Sequence, residues 1–142
     1  MTPATGPGDD APRAIQPNDP PTLHAPRGYS HVAIVRARTL VFVAGQVALD
    51  PTGTLVGPGD LRAQAEQVFR NLGAALAAAG ATFRDVAKLT YFLRDIGHLP
   101  EVRAVRDRYL DAEHPPTSTA VAVTALFRPD ALLEVEAVAA LP

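Results

Sequence analysis

The residues most able to do chemistry in this chain are few. His114-Pro115-Pro116-Thr117-Ser118-Thr119-Ala120-Val121-Ala122-Val123 places three hydroxyls at the entry of an apolar, β-branched run. Such residues either satisfy stray backbone groups at a strand entry or rim a small-molecule site. Glu134 and Glu136 stand two apart in an apolar stretch and so share one strand face. Two carboxylates there either pair with arginine or provide a proton-transfer group whose pKa burial raises. Arg106 falls in the apolar sector of a helical pattern with Leu99, Val102, Val105, Tyr109 and Leu110, and Arg103 lies at its edge. Arg106 would pair with Glu134 or Glu136, or reach out as an anion-binding group. Gly45, ahead of Gln46, is suited to a close backbone approach. His31 on the first strand reads as scaffold.

Other chemistries are not expected. The four histidines (24, 31, 98, 114) show no metal-type spacing and there is no cysteine, so no metal site is expected. No phosphate loop, dinucleotide fingerprint or nucleophile elbow is present, and no cofactor is expected. The formal net charge is −2, with acidic and basic residues interspersed, which gives no footprint for nucleic acid. No apolar run approaches the ~20 residues that span a bilayer. The first residues lack a basic stretch followed by an apolar core, so a cytoplasmic protein without a secretory signal is expected.

These residues need elements to hold them. Residues 1–26 contain seven of the 14 prolines and almost no large apolar residues, and read as a disordered or extended tail. Residues 27–142 then form one domain, and 47% hydrophobic content suffices for a core. Runs at 29–37 and 39–49 suggest a hairpin. Asp60 caps a helix whose stripe is Leu61, Ala65, Val68, Leu72, Leu76 and Ala79, with Gly80 as its stop. A strand at 85–95, a helix at 99–113, and strands at 118–126 and 132–141 complete a ββαβαββ order. Right-handed crossovers put both helices on one face of one mixed sheet, an α+β fold. Several strands are apolar on both faces, and the simplest second cover is another copy of the chain.

The segment from Leu40 to Asp95, followed by His114–Leu126 and Leu132–Ala139, resembles the RidA/YjgF family of reactive-intermediate (imine and enamine) deaminases, in the order and spacing of several separated motifs. The resemblance covers the chain from about Tyr29 onward. It implies a chorismate-mutase-like α+β fold, a homotrimer with ligand clefts between subunits, and cofactor-free hydrolysis of 2-imino or 2-enamino acids. It places the family's acidic residue on Glu134 and its ligand-side tyrosine on Tyr29. The substrate-gripping arginine of the family falls on Thr117, followed by Ser118 and Thr119. The serine before Gly45 becomes Ala44, and an asparagine of the second helix becomes Arg103. The chain is thus a divergent member, expected to act on an imine, enamine or enolisable small molecule by deamination, tautomerisation, dehydration or cyclisation. Specialised metabolism is expected rather than housekeeping iminopyruvate deamination, with Arg103 or Arg106 as a relocated cation. The alternative is a non-catalytic ligand-binding or regulatory trimer. Endoribonuclease activity, attributed to some relatives, is disfavoured by the charge balance.

Overall fold

A computed structural model describes residues 13–142. The order is β1 (Ile15–Pro17), β2 (Ala33–Val35), β3 (Thr39–Gln46), α1 (Leu61–Ala78), β4 (Val86–Leu93), α2 (Leu99–Arg106), β5 (Thr117–Ala122) and β6 (Leu133–Leu141), with short 3-10 turns before β4 and α2. The main sheet runs β3-β6-β4-β5. It is antiparallel except for the β4–β5 pair, the product of the α2 crossover.

Helix α1 begins and ends as its residues dictate. Asp60 Oδ1 accepts from the Ala63 N–H at 3.1 Å. At the other end Gly80 adopts φ +73°, and Ala81 and Gly80 donate back to the Leu76 and Ala77 carbonyls. The stripe Ala65, Val68, Phe69, Leu72 and Leu76 is buried against Leu89, Leu93, Leu133, Val135, Ala137 and Ala139 of β4 and β6. Val102 and Val105 of α2 complete this core. Gln64 is also fully buried. Its Nε2 donates to the Gly57 and Asp130 carbonyls and its Oε1 accepts from the Leu132 N–H, so it joins α1 to both flanking loops.

The opposite sheet face has no cover among the described residues. Phe42 is 75% exposed, Leu40 55% and Val121 39%.

Three expectations are corrected. The runs at 29–37 and 39–49 do not pair as a hairpin. β2 pairs with β1, and β3 pairs with β6. Accordingly the segment expected to be a tail is not uniformly unstructured. Ile15–Pro17 forms an edge strand, extended by Arg36 N–H to Ala14 O (2.7 Å) and Asn18 N–H to Val32 O (2.9 Å). A three-residue strand ending in proline, tolerated only at an edge, carries no alternation to reveal it. Residues 1–12 of that expected tail lie outside the described residues. Finally, α2 stops at Arg106 instead of continuing to 113. Beyond Arg106 the chain continues as turns, with the Tyr109 and Leu110 N–H groups both donating to the Arg106 carbonyl, and Asp111 Oδ1 then takes the Glu113 N–H.

Candidate functional site

Glu134 and Glu136 both face the open side of the sheet, as their spacing requires, while Leu133, Val135 and Ala137 are buried beneath α1. What singles out Glu134 is its neighbour. Between Val43 and Gln46 the β3–β6 register slips: Ala44 and Gly45 together oppose Glu136 alone. This bulge brings the Gly45 backbone against the Glu134 side chain. A Cβ added at Gly45 would stand 2.8 Å from Glu134 Cδ and press on its carboxylate. The bulge thus builds a cradle that only glycine permits. Glu134 is half-buried and makes no ion pair among the described residues. Across β4 its register partner is Phe92.

The hydroxyl cluster lies at the other end of the open face. Thr117 is opposite Lys88 and Thr119 opposite Thr90, so these four share the face of Glu134. Ser118 pairs with Leu89 and points to the helix side. Thr117 Oγ1 donates to the Ala87 carbonyl at 2.7 Å, at the irregularity where the β4–β6 register shifts. This hydroxyl therefore does satisfy a backbone group, and its lone pairs stay open to a donor. Lys88 Nζ donates to Thr119 Oγ1 at 2.6 Å. A cation thus stands beside Thr117, where the resemblance leads one to look for arginine. Sequence reading missed Lys88. Its one signal was a charge inside the apolar run Val86–Leu93.

Tyr29 is brought to the same end. Ser30 N–H donates to Pro116 O, Ser30 Oγ donates to Pro115 O, and Ser30 bridges Thr117, which pins this loop to the start of β5. The Tyr29 hydroxyl shares a 2.8 Å hydrogen bond with His24 Nε2, and the His31 ring lies edge-on to both rings.

Within one chain the two groups stay apart. Glu134 and Thr117 are two strands and four register positions distant, about 16 Å at ordinary strand spacing and rise. Arg106 is corrected more sharply. It pairs with neither Glu134 nor Glu136. It lies on the helix side, where its Nη2 and Nε donate to Asp107 Oδ1 at 2.7 and 2.9 Å. Arg103 is exposed on the same helix. One further cluster is the nearest thing to a metal-ligand set among the described residues. Asp111, Glu113 and His114 present ligand atoms within 4.8 Å of one another. It is exposed, and Asp111 already meets His114 at 3.2 Å and Arg13 at 3.7 Å.

The profile of the family described as Endoribonuclease L-PSP matches residues 21–141. A RutC family protein of Synechocystis is 42% identical over 119 residues, covering 83% of this chain and 90% of that protein. The crystal structure of a Rid family protein, YyfB of Yersinia pestis, superposes with a TM-score of 0.83 at 34% identity, covering 90% of this chain and 99% of that one. The chain belongs to the Rid/YjgF family. A relative in this family, the 2-iminobutanoate/2-iminopropanoate deaminase of Rattus norvegicus, is 35% identical over 111 residues, 78% of each chain. A 3-aminoacrylate deaminase RutC of Acinetobacter baylyi is likewise 32% identical over 125 residues, 88% of this chain and 94% of that one. The mixed α+β architecture described above is that of the Rid family structure. No helix of the described residues is long and apolar enough to cross a membrane.

Proposed function

We propose that this Rid family chain hydrolyses a small imine or enamine at a cleft formed between two of its copies. The observation that carries the proposal is Glu134: a half-buried carboxylate in a glycine cradle, without an ion pair and on a sheet face left uncovered among the described residues. A carboxylate held this way can take a proton from water as the water attacks the C=N carbon. It can return that proton to nitrogen to give the carbinolamine, then carry the proton of the new hydroxyl to nitrogen as the C–N bond breaks, so C=NH and H2O become C=O and NH3 with no cofactor. The distance between Glu134 and the Thr117, Lys88 and Tyr29 group supports a site completed by a neighbouring subunit of a homotrimer. In that site Glu134, Ala44 and Gly45 of one copy face Thr117, Thr119, Lys88 and Tyr29 of the next, with the backbone near Thr119 orienting the reacting centre.

Substrate choice follows from Thr117. It cannot grip a carboxylate with two parallel hydrogen bonds as arginine does, and Lys88 offers a point charge instead. Small 2-imino acids are accordingly expected to be poor substrates, and the preferred one to be a larger imine or enamine of specialised metabolism. The test is ammonia release from imines of bulky amino acids, generated in place by an amino-acid oxidase and first shown to be accelerated by the parent, with Glu134→Gln alongside. The expected outcome is a loss of roughly 10²–10⁴-fold in the variant. Equal rates in both proteins would overturn the catalytic reading and favour a ligand-binding trimer, which the engaged Thr117 hydroxyl also suits.

A further inference from the structure

The helix side of the sheet holds a second concavity that the hydrolytic cleft does not use. It has a volume of about 480 Å3, within the range of small-ligand sites. Its charged lining comprises Arg27, Arg103, Arg106, Asp107 and Asp111, and Leu110 and Pro115 give it apolar wall. Both carboxylates are already engaged. Asp107 accepts from Arg106, and Asp111 meets Arg13 and His114. Arg27 and Arg103 make no ion pair among the described residues. The balance left in the cavity is positive.

The back of this cavity is built with unusual constraint. Arg106 is only 5% exposed. Gly28 adopts φ +72°, and a Cβ there would lie 3.3 Å from Arg106 Cζ with the guanidinium nitrogen nearer still. Glycine is needed both for the turn and for the room. Behind Arg106 stands Tyr91, 3% exposed, with the Arg106 guanidinium beside its hydroxyl and no acceptor for that hydroxyl among the described residues. That hydroxyl lies among Arg106, Asp107 and Arg103, and its burial holds it protonated, as a donor.

We infer that this cavity binds the acidic group, carboxylate or phosphate, of a small organic anion, with Arg27 and Arg103 closing on it from the rim and Arg106 facing it from behind. Guanidinium groups suit such oxyanions through paired hydrogen bonds. Leu110 and Pro115 would take the apolar remainder. The inference does not rest on the hydrolytic reading, since Glu134 faces the other side of the sheet.

The test titrates the full chain with inorganic phosphate and, separately, with succinate, following the Gly28 amide and the arginine Nε–H signals by NMR. Sodium chloride at matched ionic strength is the control. Both anions are expected to give saturable shifts at Gly28 and Arg106. Arg27→Gln with Arg103→Gln, both exposed positions, should weaken binding at least about tenfold. Glu134→Gln should bind as tightly as the parent, which separates this site from the hydrolytic one. Phosphate shifting these signals while succinate does not would narrow the acidic group to phosphate. Shifts that do not saturate, shifts matched by chloride, or undiminished binding in the double arginine variant would overturn the proposal.

Discussion

At the scale of single residues, the placement of Glu134 depends on what its neighbour lacks. Gly45→Ala would add a methyl that collides with the Glu134 side chain. The carboxylate must move by an ångström or so, which can cost on the order of 10²-fold in rate when a catalytic group is displaced. Ammonia-release kinetics should therefore fall by about that factor, while thermal unfolding changes little. Unchanged kinetics would show that Glu134 does not need its cradle. Arg106 gives a second expectation. Its partner Asp107 is 64% exposed, so removing the guanidinium strands no buried charge. Arg106→Met should cost only about 1–2 kcal/mol in chemical denaturation, well below the loss on breaking a fully buried pair.

The elements are held by a few polar anchors as much as by the apolar stripe of α1. Gln64 is the clearest. Replacing it with Leu leaves the Leu132 N–H and the Gly57 and Asp130 carbonyls without their partner inside the fold. At roughly 1–3 kcal/mol for each buried group so orphaned, the variant should lose about 3 kcal/mol or more and lower the denaturant midpoint measurably. A midpoint within error of the parent would mean that water replaces these bonds. The same reasoning explains what was readable along the chain. Asp60 and Gly80 bound α1 because caps act through bonds to residues three to five positions away, within reach of local pattern. The end of α2 at Arg106 was not readable in this way, because a helical apolar stripe continues through Tyr109 and Leu110 while their N–H groups converge on the Arg106 carbonyl in a turn.

For the whole molecule, the uncovered face of the main sheet is decisive. Leu40, Phe42 and Val121 stand exposed beside Glu134, Thr90 and Lys88. Burying that face between copies would remove water from apolar surface worth roughly 25 cal/mol per Å2 and would complete the proposed cleft. Sedimentation is expected to give a species near three times 15.0 kDa. Phe42→Asp should shift it toward the monomer and abolish turnover together with assembly. A monomer of the parent chain at micromolar concentration would refute the intersubunit site. The first strand matters at this scale too. Removal of the chain through Pro17 takes away the only described partner of β2 and should lower the melting temperature.

The sequence by itself determined the elements that rest on short-range pattern: α1 with both caps, the strands β3 to β6, the facing of Glu134 and Glu136, and the kinship carried by their order. Tertiary structure alone decided the rest, because those features depend on which distant segments meet. The pairing of β1 with β2 joins segments separated by a loop that carries no periodic signal. The cradle of Glu134 requires Gly45 of β3 to slip register against β6, some ninety residues later. Lys88 comes beside Thr117 only through the parallel pairing of β4 with β5. Arg106 meets Gly28 and stands before Tyr91 only because the loop ahead of β2, the end of α2 and the middle of β4 converge on one side of the sheet. Local propensity reads neighbours along the chain, whereas a site is made of neighbours in space, and loop closure sets no pattern in the residues that it brings together.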